Sequence, residues 1–599
     1  MILLVPIFLP VIIGIVCLFL KKRIKEVTLT TSLLTFLFSF IIYITGDQWF
    51  YLPLYNGIAF SLRAYPFSST LLMAASFFTI LILWYSSKFM QGKPGLNVYY
   101  ANMLITLGAA SGVLLANDLV ILLLFWGILG IPLYLLIGFS GSKASDAAKK
   151  TFIIVGGSDA LMILGASIVF SIANNFDMSL IRIPVNEGIP LLAYLCLAAG
   201  AFAKAGAMPL HTWIPDIAEV AEVPVLAAIP AALDKILGIY LLARLSLDLF
   251  IVKPGGTVSL ILLILGSVTI VAGVMMALVQ HTFRKLLAYH AVSQVGYMVL
   301  GIGTANPIGI AGGLFHMLNN AIYKCLLFLG AGAVEKETGE GDLEKLGGLA
   351  NLMPVTFATL LIAALSISGI PPLNGFFSKW MIYQGIIELG KSGGKLWILW
   401  LAAAMFGSAL TLASFMKLIH SVFLSEPAGE IKAREVSPPM RWPMIILASL
   451  CVIFGIFAFT IPVKLFILPA VPNLYFTGLW EPVMATVLLM IGLAIGASFY
   501  FIGAAFKPRR MPIFYGGEKI KEDEMKISGI NFYDTIKNLD IIKEIYEEAE
   551  GKFYDIYELL KKLTFSIGAF LSWLHNGLLH TYLAWLLLGL ILLLYLIVR

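Results

Sequence analysis

Residues 197–244 read LAAGAFAKAGAMPLHTWIPDIAEVAEVPVLAAIPAALDKILGIYLLAR, and this stretch decides the fold. It predicts an apolar helix that carries Lys204, a break at residues 208–211, a short acidic loop, and a second apolar helix that carries Lys235. A lysine in the middle of a membrane-length apolar segment is energetically costly and by default marks a functional site. Two such lysines on consecutive helices beside a break predict a path for protons or other ions.

The composition sets the class of protein. Of the 599 residues, 60% are hydrophobic and 12% are charged, whereas a soluble domain has roughly 45–50% apolar and about 25% charged residues. The net charge of +6 fits the excess of Lys and Arg in cytoplasmic loops and requires no nucleic acid. The four cysteines lie far apart without a CxxC pair, which argues against zinc or an iron–sulfur cluster. Because phosphate-binding and dinucleotide-binding glycine motifs are also missing, we expect no cofactor in this chain.

Sixteen apolar segments are long enough to span a bilayer, for which a helix needs roughly 17–25 residues. They are residues 2–20, 27–46, 66–86, 99–116, 118–139, 151–173, 189–209, 222–246, 257–279, 287–304, 309–333, 354–390, 396–424, 441–466, 483–506 and 575–598. The segment 354–390 is too long for one straight helix, and the sequence GIPP at 369–372 breaks it. The prediction is an all-α polytopic membrane protein with about 16 transmembrane helices. The first segment precedes its positive charges, the reverse of a signal peptide, and is expected to be retained.

The loop charges predict the orientation. Positive residues concentrate in alternate loops, namely Lys21, Lys22, Arg23, Lys25, Lys88, Lys93, Lys143, Lys149, Lys150, Arg284, Lys285, Lys336, Lys345, Lys432, Arg434, Lys507, Arg509 and Arg510. The other set of loops holds few positive residues. Since cytoplasmic loops are the positive ones, both termini are predicted to lie outside, which agrees with an even number of spans.

A short sequence recurs in the two halves of the chain. GAMPL at 206–210 is echoed by GIPPL at 369–373, with Lys204 before the first break and Lys379 after the second. Interrupted helices at corresponding positions indicate inverted repeats around a mid-membrane site. The alternative is two ordinary proline kinks, and the pattern alone leaves both interpretations open.

The C-terminal region changes character at residues 507–530, a polar stretch predicted to be a loop. Residues 531–563 then place apolar side chains at helical spacing opposite a charged face, which predicts an amphipathic helix of roughly 50 Å. Such a helix lies along the membrane or along neighbouring proteins, and it can extend into residues 565–573. The alternative is a cap that folds back on its own chain. The last span favours the lateral position because it anchors the far end.

Ordered motifs across residues 100–425 resemble the antiporter-like subunits shared by respiratory complex I, membrane-bound hydrogenases and Mrp-type cation/proton antiporters. Besides residues 204–244, the matching stretches are AAKKTF at 147–152, LAYHAVSQVGYM at 287–298, residues 316–329, LGGL at 346–349 and GIPPLNGFFSK at 369–379. The resemblance implies two inverted five-helix repeats with broken helices, and translocation of protons or sodium. The C-terminal helix and last span are similar to the lateral helix of the distal, longest such subunit of complex I.

The resemblance also implies a domain organisation. Transmembrane helices at 1–98 precede two antiporter-like repeats, at 99–246 and 257–424. Additional helices follow at 441–506, then the loop and lateral helix at 507–574 and a transmembrane anchor at 575–599.

The resemblance assigns the ion path to a row of five residues that would pass protons through water. They are Lys204, Lys235, His316, Lys324 and Lys379. Each has a structural alternative. The lysines at the breaks can satisfy freed carbonyls, the histidine can bond across helices, and Lys324 can snorkel to the membrane surface. Two further histidines, His211 and His290, are interpreted as structural.

The sequence departs from the family at the first lysine's partner. Gly127 stands where the family has a glutamate, Asn320 replaces a second histidine, and Leu226 replaces a serine. The carboxylates that could substitute for the glutamate are Asp159 and Asp234. Neither is an obvious replacement, because adjacent helical residues such as Asp234 and Lys235 point in different directions.

Three functions remain open from the sequence. The first is a subunit that moves protons or sodium and is driven by redox chemistry in other subunits, since this chain has no redox motif. The second is a degenerate subunit that mainly braces the complex through its lateral helix, which Gly127 favours. The third is a stand-alone cation/proton antiporter, which the long amphipathic helix disfavours. The expected setting is a prokaryotic plasma membrane, with lipid and other membrane subunits as partners.

Overall fold

A computed structural model of the chain describes residues 1–20, 22–55, 58–185, 187–391, 393–426, 431–471, 474, 476, 482–502 and 529–598. It contains two compact units, Met1–Ile536 and Lys537–Arg599. The polar loop predicted at 507–530 lies outside the described residues except for its last two, as do Lys21, Lys507, Arg509 and Arg510.

The described chain is mainly helical. The helices are α1 (Val5–Phe19), α2 (Ile24–Thr45), α3 (Pro66–Phe89), α4 (Leu96–Leu115), α5 (Leu119–Ile128), α6 (Gly130–Gly138), α7 (Ser145–Ala173), α8 (Ile189–Ala205), α9 (Trp213–Val220), α10 (Val223–Ala228), α11 (Asp234–Arg244), α12 (Thr257–Leu278), α13 (Phe283–Gly303), α14 (Pro307–Thr338), α15 (Pro354–Ser368), α16 (Asn374–Lys391), α17 (Trp397–Ile419), α18 (Pro438–Ile456), α19 (Pro482–Ile502), α20 (Asp534–Lys537), α21 (Asp540–Glu550), α22 (Ile556–Leu574) and α23 (Leu579–Val598). The strands are β1 (Gln48–Tyr55), β2 (Ile58–Ala64), β3 (Ile183–Pro184) and β4 (Phe250–Ile251).

The prediction of a helical polytopic membrane protein is confirmed. Among the described residues, thirteen helical segments are long and apolar enough to cross a bilayer. Three shorter apolar helices, Ile189–Ala205, Pro354–Ser368 and Thr486–Phe499, add to them. The number of about sixteen spans and the inverted relation of the two repeats stay predictions. The helices around the breaks form the interior, because α10, α11, α13 and α14 are almost entirely buried.

A helix ends at each of the two recurring sequences, GAMPL at 206–210 and GIPPL at 369–373. Helix α8 ends at Ala205 and is followed by Gly206 with φ +74°, and α15 ends at Ser368 and is followed by Gly369 with φ +84°. Glycine adopts this left-handed conformation without a Cβ penalty, which is why it commonly ends helices. The interruption frees the last carbonyl groups of each helix for other donors.

A close contact between α8 and α11 fixes the first break. A Cβ atom added at Gly238 would lie 2.6 Å from the carbonyl oxygen of Ala201 and 2.8 Å from Cβ of Ala205. The two backbones can approach this closely only because position 238 has no side chain.

We expect Gly238→Ala to destabilise the protein by about 1–3 kcal/mol, because overpacking a tight contact outweighs the gain in helix propensity. The thermal unfolding midpoint in detergent measures the effect. Gly492→Ala is the matched control, since a Cβ at Gly492 in α19 would meet nothing within 4 Å. Equal midpoints for both variants would show that α8 and α11 can move apart to accommodate the methyl group without a loss of stability.

The all-helical prediction missed a β-hairpin. Strands β1 and β2 pair antiparallel between α2 and α3, with Gln48 opposite Ala64 and Tyr51 opposite Ser61. The sequence carries the signal, because Asn56-Gly57 stands between two apolar segments and Asn-Gly favours tight hairpin turns. The two turn residues themselves lie outside the described part of the chain.

The second unit differs from the predicted single amphipathic helix. The amphipathic stretch divides into α21 and α22, with Lys552 at φ +59° between them. Asp555 begins the next helix, because its carboxylate accepts a hydrogen bond from the N–H of Tyr557 at 3.0 Å. Helix α22 then extends to Leu574, as far as the predicted continuation. The lateral position of these helices stays a prediction.

Candidate ion-translocation site

The first group of the predicted row is Lys204, on the last turn of α8. Its side chain is only 1% exposed, and its Nζ has no hydrogen-bond partner among the described residues. The Nζ lies 5.2 Å from the centroid of the Trp126 ring. The aromatic face therefore supports a positive charge at Lys204 where no carboxylate bonds it directly.

Both candidate carboxylates lie within electrostatic reach of Lys204. Asp159, in α7, interacts with Lys204 and lies close to Trp126. Asp234, at the start of α11, interacts with both Lys204 and Lys235. One carboxylate oxygen of each has no hydrogen-bond partner in the described structure. Gly127 is exposed, and a Cβ there would meet nothing within 4 Å. That the two aspartates take the place of the glutamate stays a prediction.

Lys235 connects the two helices of the first break. It is fully buried, directly after a π-helical segment, Ile229–Leu233, that widens the helix before α11. Its Nζ donates a hydrogen bond to the carbonyl oxygen of Ala205, the last residue of α8. This hydrogen bond agrees with the structural alternative, in which the lysine satisfies a freed carbonyl group. Asp234 connects the two lysines, because it interacts with both.

Lys324 continues the row on α14. The alternative that it snorkels to the membrane surface is wrong, because the residue is fully buried. Its Nζ donates to the carbonyl oxygen of Leu287 at 2.8 Å and lies 5.8 Å from the centroid of Phe415. It interacts electrostatically with Lys235, so it links the first half of the row to the second.

The second break holds His316 and Lys379 together. Nδ1 of His316 lies 2.9 Å from Oγ of Ser378, the residue before Lys379, and its Nε2 lies 3.1 Å from Oε1 of Gln294. Nζ of Lys379 donates to the carbonyl oxygen of Ile367 at 2.8 Å. Both breaks therefore have a lysine on the carbonyl groups that the interrupted helix frees.

Asn320 occupies the turn between His316 and Lys324. The three residues are four apart on α14, so they share one face of the helix. Asn320 is fully buried, and both polar atoms of its amide lack a hydrogen-bond partner in the described structure. A buried polar group without a partner costs about 1–3 kcal/mol, so the site is suited to ordered water.

The sequence interpretation missed the part that α13 plays. The sequence interprets His290 as structural, and its Nε2 lies 2.7 Å from Oγ of Ser414 on α17. Gln294 contacts His316, and the ring of Tyr297 lies 4.8 Å from Nζ of Lys379. The motif at 287–298 contained all three residues. His211 lies in the connection between α8 and α9.

The predicted acidic loop contains the short helix α9, and it positions the first break. Each of its acids pairs with a basic residue of a different predicted cytoplasmic loop, as in Asp216 with Lys150 at 2.7 Å and Glu222 with Lys93 at 2.5 Å. Trp213, within this loop, donates from Nε1 to the carbonyl oxygen of Ala203 at 2.9 Å. The ion pairs therefore hold the segment that caps the end of α8.

These features define a class of polytopic helical membrane proteins with two broken helices and a buried row of lysines and histidines. The family model described as "NADH:quinone oxidoreductase/Mrp antiporter, TM" matches residues 116–411. Subunit N of the NADH-quinone oxidoreductase of Desulforudis audaxviator is 31% identical over 414 residues, which cover 65% of this chain and 81% of that protein. The chain therefore belongs to this family, and the resemblance drawn from its motifs is confirmed.

Two further proteins are similar to this chain. The Na⁺/H⁺ antiporter subunit A1 of Staphylococcus haemolyticus is 33% identical over 63% of this chain, which spans 50% of that protein. A chain of the membrane-bound sulfane sulfur reductase, an archaeal respiratory membrane complex, has a TM-score of 0.80 and 25% identity, with 99% of both chains covered. The likeness to the reductase chain extends over the C-terminal unit as well as the motif-bearing region.

Proposed function

We propose that this chain is a proton-translocating subunit of a multisubunit membrane oxidoreductase, driven by redox chemistry in other subunits. The observation that carries the proposal is the linked row of buried groups from Lys204 to Lys379. Lys235 interacts with Lys324, and Lys379 interacts with His316, all inside the helical core. Family membership supports the setting, because the relatives are subunits of respiratory and antiporter complexes.

The chemistry of the second half favours protons over sodium. Sodium is a hard cation that binds oxygen ligands, and carboxylates supply the charge that such sites need. In the described part of residues 257–424 no aspartate or glutamate is buried, whereas His290, His316, Lys324 and Lys379 are. Lysine and histidine take up and release protons but offer no oxygen to a metal cation.

We expect Lys324→Ala to reduce proton uptake several-fold and to leave sodium uptake unchanged, because Lys324 joins the two halves of the row. The complex containing the chain is reconstituted in liposomes, and a pH-sensitive dye and ²²Na⁺ report the two ions during turnover of the redox subunits.

Lys345→Ala is the matched control, since Lys345 is an exposed lysine paired with Glu340 at 3.3 Å. A loss of ²²Na⁺ uptake in Lys324→Ala would assign sodium to this chain. Unchanged transport of both ions would remove the row as the path.

A bracing role for the C-terminal unit is the second candidate. The apolar residues Phe565, Phe570 and Trp573 of α22 are 71%, 58% and 63% exposed, and α23 has no buried residue. Such faces need lipid or protein around them, so we propose that they pack on neighbouring membrane subunits.

We also propose that the chain lies in the plasma membrane with both termini outside. The support is that basic residues of three predicted cytoplasmic loops pair with the acids of residues 213–222, so these loops lie on one side.

A further inference from the structure

Helix α13 turns one face towards the second half of the row. Leu287, His290, Gln294 and Tyr297 follow one another at steps of three, four and three residues, so they share that face. The carbonyl of Leu287 accepts from Lys324. As described above, Gln294 contacts His316 and Tyr297 contacts Lys379. This helix therefore runs beside the row from Lys324 to the second break.

The contacts along α13 leave a gap in the row. Leu287 and Gln294 are seven residues apart, which is roughly 10 Å along a helix at about 1.5 Å per residue. A hydrogen bond spans only about 3 Å, so a proton that passes along α13 needs water or an intermediate group between them. Within residues 287–294, which read LAYHAVSQ, His290 has the one side chain that can gain a proton near neutral pH.

The surroundings of His290 suit such a step. The residue is fully buried, and its ring lies 4.7 Å from that of Phe415. Nε2 is hydrogen-bonded to Oγ of Ser414, whereas Nδ1 has no hydrogen-bond partner among the described residues. His290 also lies within electrostatic range of Lys324 and Lys379, the two lysines that it would connect. Their positive charges repel an imidazolium, so a proton that reaches the ring is passed on rather than held.

We propose that His290 relays protons between Lys324 and the His316–Lys379 pair, an inference that rests on the proposed function of the row. The N–H bond of the Lys324 ammonium breaks, and its proton passes through water to Nδ1 of His290, which becomes an imidazolium. The Nδ1–H bond then breaks and the proton passes to the neutral amine of Lys379. Nε2 stays bonded to Ser414 throughout, and the ring returns to its neutral form.

The test is His290→Gln in the reconstituted complex, because glutamine keeps polar atoms for Ser414 but does not titrate. We expect proton uptake, followed with a pH-sensitive dye, to fall several-fold while electron transfer and subunit content are retained. His281→Gln is the matched control, since His281 is half-exposed and pairs with Glu344. If the glutamine variant does not assemble, His290→Asn takes its place.

A double variant separates relay from packing. If the two residues act in series, Lys324→Ala/His290→Gln transports no less than Lys324→Ala alone. Multiplied losses, or unchanged uptake in His290→Gln while Lys324→Ala is impaired, would overturn the role of His290 and leave the proposed function standing. Unchanged uptake in both single variants would instead overturn the proposed function.

Discussion

Lys379→Arg is expected to reduce redox-driven proton uptake about 100-fold, the lower end of what the loss of a proton-transfer group costs. Arginine keeps the positive charge that the carbonyl groups of Ile367 and Ser368 attract, at 2.8 and 3.5 Å from Nζ of the lysine. It does not release a proton in proteins, however. A residue that only donates hydrogen bonds to the carbonyl groups at the second break tolerates this change, whereas a residue that relays protons does not.

The same helix provides the control for this prediction. Lys391, at the end of α16, is 58% exposed in its side chain and pairs with Glu388 at 3.0 Å. Lys391→Arg therefore applies the same substitution outside the row and is expected to pump like the unmodified complex. Proton uptake is measured in liposomes, with electron transfer and subunit content as measures of assembly. Normal pumping by Lys379→Arg would assign this lysine a structural role.

The sequence predicted the positions of the buried lysines well but not what they contact. Lys235 and Lys379 were identified because a charge inside an apolar segment is conspicuous. Their bonds to Ala205 and Ile367 depend on where two interrupted helices end in space, which no local pattern specifies. His290 shows the same limit, because its partner Ser414 lies 124 positions away.

Two errors in the predicted fold have local causes. The hairpin of β1 and β2 lies between two predicted spans, in a stretch to which no element was assigned, although Asn56-Gly57 pointed to a turn. The amphipathic helix was drawn as continuous because its apolar spacing persists past Gly551 and Lys552. Periodicity records which side of a helix is apolar but not whether the backbone stays helical between two turns.

Lys204→Ala is expected to reduce proton uptake tenfold or more, and one decade corresponds to only about 1.4 kcal/mol of barrier. Lys204 is the buried amine with which both Asp159 and Asp234 interact. Without it, Asp159 loses the lysine with which it interacts, and Asp234 retains Lys235. Lys149→Ala is the control, since that side chain is 59% exposed and pairs with Asp146 at 3.4 Å.

Substitutions at the two aspartates test whether either one takes the role of the glutamate that Gly127 replaces. Asp234 is 3% exposed and interacts with both lysines of the first break, whereas Asp159 interacts with Lys204 beside Trp126. We therefore expect Asp234→Asn to impair uptake as strongly as Lys204→Ala, and Asp159→Asn to impair it less. If Lys204→Ala pumps normally in an assembled complex, the first half does not conduct. The row would then begin at Lys235, and the bracing role would account for the rest of the chain.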